Sequence, residues 1–310
     1  MKYKKVLVTG GAGFIGSHLT NELIKLGLEV VVLDDLSVGS KANLSGNVKF
    51  ILGDIRDKTK VAKIIHDEDI EIIFHLAAKV TIRRSKNQYL EDSDVNINGT
   101  LSILNALQLS KVKKFIFASS MAVYANSELP KQISETYLVD PISPYGISKL
   151  ACEHYSRVIC DINNIDCIIL RYFNTYGPRQ TFTPYVGVLT IFINKLLENE
   201  TLTIYGDGSQ QRDFVHVKDI VQGNIKAMIS EINYGLFNIG TGIGTSVNDL
   251  YFILNKMLSS KSKVKYSSNL KVEIENSIAN INKAIKYLNY SPVYKNIHLE
   301  DVINYWTAKI

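Results

Sequence analysis

Tyr145 and Lys149 stand four residues apart in the run Ser143-Pro144-Tyr145-Gly146-Ile147-Ser148-Lys149. That run reads as a helix start, with Ser143 as the cap and Pro144 at the first helical position. The two side chains then share one helix face. An ammonium beside a phenol, together with the positive ring of a nicotinamide-type hydride acceptor, stabilises the phenolate and lowers its pKa, which makes Tyr145 a general base for a hydroxyl undergoing oxidation. Ser119-Ser120, at the end of the preceding apolar run, is placed to relay or share the proton. The spacing alone is cheap, because Tyr305 and Lys309 repeat it near the C-terminus. That copy lacks a preceding strand and an upstream Ser pair, so it reads as surface helix.

A second constellation lies at the start of the chain, in Val8-Thr9-Gly10-Gly11-Ala12-Gly13-Phe14-Ile15-Gly16. Glycines 10, 13 and 16 allow a tight turn, close approach of a pyrophosphate and close helix–sheet contact. The phosphates would meet the helix N-terminus, where free N–H groups and the dipole favour anions. About twenty residues on, the second apolar run ends in Asp34-Asp35. An acid there accepts hydrogen bonds from ribose hydroxyls and repels a 2′-phosphate. The expected cofactor is NAD rather than NADP, with Asp34 as the first contact. Gly53-Asp54-Ile55 and Leu76-Ala77-Ala78 follow further strands, where ligand-facing loops lie in such sheets.

The elements that must position these groups are short apolar runs alternating with helical patterns. Strands are expected at Val6–Thr9, Leu28–Leu33, Phe50–Leu52, Ile70–Phe74, Phe115–Ala118 and Cys167–Leu170. Ile15, Leu19, Leu23 and Leu26 fall at helical spacing before a stop at Gly27. Val95–Leu109 and Pro144–Cys160 are also expected to be helical, and a later stretch, Val188–Leu197, is helix-like. Such alternation implies an α/β fold, a Rossmann-type doubly wound parallel sheet covered on both faces. After Arg171 the rhythm changes, and a smaller C-terminal α/β substrate lobe is expected. The division assigns residues 1–174, with about 213–241, to the NAD-binding domain. Residues 175–212 and 242–310 are assigned to the substrate lobe.

Of the 310 residues, 46% are apolar and 21% charged, with a formal net charge of +5. This is the composition of a soluble globular enzyme, and the scattered lysines do not favour nucleic acid. Cys152, Cys160 and Cys167 match no zinc spacing and read as packing residues in a reducing compartment. No metal site is expected. No apolar stretch approaches membrane-spanning length, and no signal-peptide pattern opens the chain, so no membrane association and a cytoplasmic location are expected.

The segments TGGAGFIGSHL, GDIRD, HLAA, SSMAVY, SPYGISK, RYFNTYGPRQ, GDGSQQRDFVHVKD and FNIGTG resemble, in this order, the extended short-chain dehydrogenase/reductase family. Within it the likeness is to the NAD-dependent nucleotide-sugar epimerases and dehydratases, of the UDP-glucose 4-epimerase kind. The resemblance implies a catalytic set of Ser120, Tyr145 and Lys149, and homodimerisation through helices of the first domain. It adds Phe14, Ile15, Asn96 and Tyr172 to the cofactor contacts, along with Tyr145 and Lys149. It places Thr81, Ser120, Asn174 and Val188 near the nucleotide sugar, and Arg212 on its diphosphate, a task that suits a guanidinium fork. His216 reads as structural.

The resemblance also bears on the reaction. Family 4,6-dehydratases carry an Asp-Glu pair just after the position of Ser120, and decarboxylases usually carry a Glu in that stretch. Here Met121 and Ala122 stand there and cannot move protons. The expected reaction is therefore epimerisation at C4 of a UDP-sugar, through a transient 4-keto sugar. The alternatives are a net NAD-linked 4-dehydrogenase or reductase, and a non-catalytic dinucleotide-sensing protein. The family's Arg-x-Gly-Asp element appears as Lys271-Val272-Glu273-Ile274, where Lys271 offers a point charge to phosphate. Ser277 occupies the position that screens the sugar's C2 substituent, and its small size leaves room for an N-acetyl group.

Overall fold

The structure is a computed structural model. It describes residues 2–46, 48–80, 88–127, 129–181, 187–268, 274–295 and 297–309. The first half winds as β1 (Lys5–Thr9), α1 (Phe14–Lys25), β2 (Glu29–Asp34), β3 (Lys49–Leu52), α2 (Lys58–Asp67) and β4 (Ile72–His75). After β4 come α3 (Gln88–Ser93), a π-helical turn (Asp94–Asn98) and α4 (Gly99–Asn105), then β5 (Lys114–Ser120). The expected continuous helix over Val95–Leu109 is thus broken. Its first part is π-helical and its last part is turn, with Leu109 at φ 56°.

Further on lie β6 (Gln132–Ile133), α5 (Pro144–Ile162), β7 (Asp166–Tyr172), β8 (Asn174–Tyr176), α6 (Val188–Leu197) and β9 (Leu202–Tyr205). The chain continues through β10 (Gln211–Arg212), β11 (Phe214–His216), α7 (Val217–Ile229), β12 (Tyr234–Ile239), β13 (Thr245–Ser246) and α8 (Val247–Leu258). It closes with β14 (Val264–Ser267), β15 (Asn276–Ala279), α9 (Asn282–Leu288) and α10 (Glu300–Thr307).

Seven strands form one sheet in the order β12-β7-β5-β4-β1-β2-β3, with every neighbouring pair parallel. Their runs of Val, Ile, Leu and Phe are buried almost throughout, as a parallel sheet sandwiched by helices demands. One apolar cluster packs each face, the first built on Val6, Val8, Leu19 and Ile116, the second on Leu7, Ile73, Phe115 and Ile169. β1 turns to β2 on one side and meets β4 on the other, so the order reverses at β1/β4. In such sheets ligands bind in the crevice outside the strand ends at that reversal. Thr9, Asp34, His75 and Ser120 are the last residues of their strands and all open onto this edge.

The later strands build smaller sheets. β13-β10-β15-β6 forms four strands, and β11-β8 and β14-β9 are parallel pairs. β10 and β15 run in register with Arg212 opposite Ser277. A third apolar cluster, with Leu189, Phe192, Leu250 and Trp306, holds α6, α8 and α10 together. Among the described residues no helix is long and apolar enough to cross a membrane, and no group of three or more ligating side chains suits a metal.

Candidate active site

The glycine turn after β1 is shaped by contacts that admit no side chain. Gly10 has φ +68°, and a Cβ there would lie 2.8 Å from the Ala77 backbone. A Cβ on Gly16 would stand well inside contact distance of the Gly10 carbonyl. Gly13 caps α1 and, having no side chain, leaves the cap without a side-chain hydrogen bond of its own. Phe14 and Ile15 open the helix, half-buried. The first-turn N–H groups and the glycine faces therefore form a cradle suited to a dinucleotide's phosphates.

Asp34 closes this cradle from β2. Its Oδ2 accepts from the Ala12 N–H at 2.9 Å and its Oδ1 from the Leu36 N–H at 2.8 Å. Burial raises its pKa against these bonds. Asp35 is exposed and accepts from the Ser37 N–H and hydroxyl. Asp54 lies half-exposed, gripped by the Arg56 guanidinium, which holds its pKa down. Ile55 is buried. Leu76 and Ala77 donate their N–H groups to the Thr9 carbonyl and hydroxyl, and Ala78 is half-buried beside them.

Asn96 sits in the π-turn, buried, with its amide fully engaged. Its Oδ1 accepts from the Lys79 N–H, and its Nδ2 donates to the Lys79 carbonyl and to Ser148 Oγ. Its place is between the loop after β4 and α5, and its bonds hold these two together. Sequence reading passed over Gly39 and Asn43. A Cβ on Gly39 would meet the Ala12 backbone at 2.8 Å, and Asn43 Nδ2 donates to the Ala12 carbonyl.

α5 brings the catalytic candidates to the same edge. Ser143 Oγ accepts from the Gly146 N–H at 3.1 Å, and Pro144 occupies the first turn, as expected. Tyr145 and Lys149 are both buried. Lys149 Nζ donates to the Ala118 carbonyl at 2.8 Å and lies 4.8 Å from the Phe117 ring centre and 5.9 Å from that of Tyr145. Ser120 hydrogen-bonds to the Tyr145 phenol and accepts from the Ala122 N–H. β5 pairs Ser120 with Tyr172, whose hydroxyl donates to Asn224 on α7.

Burial works against the expected lowering of the phenol. The Tyr145 phenol is pushed up to about 12, because burial outweighs the Ser120 hydrogen bond. Lys149 is pushed down to about 8 by the same loss of hydration. The protein's own groups therefore do not lower the phenol. The Lys149 ammonium donates to a carbonyl and lies over an aromatic face. The positive nicotinamide included in the expectation is the remaining charge that could draw the phenol down.

Behind these groups Glu153, one turn beyond Lys149, accepts from Ser119 Oγ and from the Arg171 guanidinium. Neither Glu153 nor Arg171 was singled out from the sequence. Met121 and Ala122 lie in the short turn after Ser120.

The sugar side is built on β10, β8 and β15. Arg212 is buried and donates from Nη1 to the carbonyls of Gln211 and Glu275. Asn174 Nδ2 donates to Ser277 Oγ at 3.0 Å. Ser277 is fully buried, and Val188 is half-buried at the first turn of α6. Asp213 beside Arg212 accepts from the Thr241 N–H and hydroxyl and from the Gly242 and Ala279 N–H groups. Thr81 and Lys271 lie outside the described residues.

The remaining sequence features fall elsewhere. His216 caps α7 and packs between the rings of Tyr176 and Tyr294, a structural place. Tyr305 and Lys309 stack at the C-terminal helix, far along the chain from any strand end of the crevice. The three cysteines are free and buried.

Comparison with known proteins agrees with the fold. A UDP-glucose 4-epimerase from Thermotoga maritima, solved with UDP-glucose, superposes with a TM-score of 0.92 at 36% identity, covering 98% of this chain and 99% of that one. The UDP-N-acetylglucosamine 4-epimerase of Methanobrevibacter ruminantium gives a TM-score of 0.92 at 34% identity over the whole of both chains. A UDP-N-acetyl-alpha-D-glucosaminuronate decarboxylase of Bacillus cytotoxicus is 35% identical over 84% of this chain and 82% of its own length. The profile of the NAD dependent epimerase/dehydratase family matches residues 6–240, and the chain belongs to that family.

Proposed function

We propose that this chain catalyses NAD-dependent epimerisation at C4 of a UDP-sugar. The observation that carries the reading is the gathering of Ser120, Tyr145 and Lys149 beside a side-chain-free cradle, with only Met121 and Ala122 next to Ser120. An elimination or decarboxylation would need its own proton-moving group at those positions, and neither side chain can serve.

Gly10, Gly13, Gly16 and the first turn of α1 would hold the diphosphate of NAD, and Asp34 its adenosine ribose. When bound, NAD supplies a hydride acceptor that is restored in each turnover. Tyr145 takes the proton of the C4 hydroxyl as that carbon is oxidised and returns it when the carbon is reduced on its other face. Ser120, bonded to the phenol, shares that proton. Lys149 keeps a positive charge near the ring. Arg212, already fixed by two carbonyls, would set its guanidinium against the substrate diphosphate.

The division of labour follows the two parts of the chain. Residues 1–174, with about 213–241, take the cofactor, and 175–212 with 242–310 take the nucleotide sugar. Ser277, buried and small, leaves space for an N-acetyl group, so UDP-N-acetylglucosamine belongs among the substrates. Tyr155, Val158 and Ile162 expose apolar surface along α5, which supports a homodimer through this helix. Free buried cysteines suit a cytoplasmic setting.

Incubation with UDP-glucose and UDP-N-acetylglucosamine without added NAD, followed by NMR of the products, tests the proposal. C4-inverted product from either sugar supports it. A keto product formed only in step with added NAD would mark a net oxidoreductase, and no conversion of any UDP-sugar would overturn the reading.

A further inference from the structure

A line of hydrogen bonds runs beneath the crevice from the glycine turn to α5, and His75 is its middle link. The Ala77 N–H donates to Thr9 Oγ1 at 3.2 Å, and Thr9 Oγ1 lies 2.7 Å from His75 Nδ1. On the other side His75 Nε2 lies 2.9 Å from Thr100 Oγ1, and Thr100 Oγ1 donates to the Asn96 carbonyl at 2.6 Å. Every heavy atom of this line is in buried or half-buried residues, and His75 itself is 1% exposed.

The direction of each bond can be settled from its ends. The Asn96 carbonyl only accepts, so the single Thr100 hydroxyl proton points there and Thr100 Oγ1 must accept from Nε2–H. A neutral imidazole has one N–H, so Nδ1 carries a lone pair and accepts the Thr9 hydroxyl proton. Thr9 Oγ1 is then free to accept from Ala77, as observed. An imidazolium would direct a second N–H at Thr9 Oγ1 and leave the Thr9 proton without its acceptor. The groups around the ring agree: the Phe115 and Phe117 rings flank it, and the Lys149 charge adds to burial in disfavouring protonation.

Both ends matter to the site. Ala77 is the backbone that Gly10 packs against, and Asn96 is the residue that bonds Ser148, between Tyr145 and Lys149. We propose that His75, as the neutral Nε2–H tautomer, is a positioning residue that keeps the cofactor turn and the catalytic helix in one fixed relation. Its kinetic consequence rests on the functional reading above, whereas its tautomer does not.

Long-range proton–nitrogen NMR of ring-labelled histidine, with the His75 signal assigned by its loss in His75→Gln, reads the tautomer directly. The expected result is an Nε2–H ring unchanged from about pH 5 to about pH 9. An Nδ1–H ring, or an imidazolium in that range, overturns the proposal. His75→Phe keeps the ring volume but removes both bonds. It is expected to retain about tenfold less NAD after gel filtration and to lose about tenfold in kcat, with KM for the sugar nucleotide within about threefold. His75→Gln, with one donor and one acceptor, should recover part of both.

Should His75→Phe fail to fold, Thr100→Val breaks the line without changing the ring and should shift both readouts the same way. Retention and kcat within about twofold of the wild type in either folded variant would overturn the proposal. A wild type that holds no NAD and converts no sugar would instead count against the functional reading, and the ring spectrum would still decide this one.

Discussion

Arg171 clasps Glu153 with two charge-assisted hydrogen bonds, Nε to Oε1 at 2.8 Å and Nη2 to Oε2 at 2.6 Å, and both side chains are about 5% exposed or less. The pair joins β7 to the catalytic helix one turn beyond Lys149, and Glu153 also receives Ser119, the neighbour of Ser120. Breaking a buried pair leaves an uncompensated charge, which costs about 3 to 5 kcal/mol. Arg171→Met is therefore expected to lose stability on that scale in urea unfolding, with Glu153→Met/Arg171→Met recovering much of it. A loss below about 1 kcal/mol would show that the pair is solvated.

Gly146 gives a sharper test of close packing. A Cβ there would press into the Ala122 carbonyl oxygen, part of the turn that follows Ser120. In an ordinary helix Gly→Ala stabilises by about 1 kcal/mol. Here the sign should invert, with Gly146→Ala lowering stability by about 1 to 3 kcal/mol and kcat by at least about tenfold as Ser120 shifts. Thermal unfolding and steady-state kinetics check both.

Lys149 carries a pH signature. Its pKa falls from 10.5 to about 8 on folding, so between those values the unfolded chain binds the extra proton. Stability from this group therefore rises with pH across that window, and its burial cost is present in full below about pH 8. Lys149→Met should be more stable than the wild type at neutral pH, and the gap should close as pH rises towards 10.5. Turnover should fall as pH passes about 8, where the ammonium is lost. A stability gap independent of pH would contradict the burial argument.

Ser277 bears on substrate size. Ser277→Tyr would fill the buried position that meets Asn174 and sever its hydrogen bond. Conversion of UDP-N-acetylglucosamine should fall at least about tenfold more than that of UDP-glucose, since a steric clash acts on the larger substituent. Equal losses on both sugars, measured as kcat/KM, would place the N-acetyl group elsewhere.

Much of this site was legible before the coordinates. Gly10, Gly16, Asp34 and the Ser143 cap lie where local rules put them, because turn chemistry and strand ends are local properties. β1 to β5 and β7 were visible as apolar runs, and α6 was found with its observed ends. What was hidden depends on distant partners. Glu153 meets Arg171 across eighteen residues, Asp213 meets Ala279 across sixty-six, and β10, β13 and β6 are two-residue strands with no periodicity to detect. The π-turn at Asp94–Asn98 interrupts a stretch whose apolar spacing still reads as continuous helix. The cost of burying the Tyr145 phenol, which opposes the charges expected to lower its pKa, is likewise set by distant packing.

The central claim is that hydride leaves C4 and returns to C4, with Tyr145 handling the proton. A UDP-hexose deuterated at C4, converted without added NAD and followed by NMR, tests it most directly. Deuterium should remain at C4 of the inverted product, and Tyr145→Phe should give no product. Loss of deuterium to water, or a working Tyr145→Phe, would contradict it.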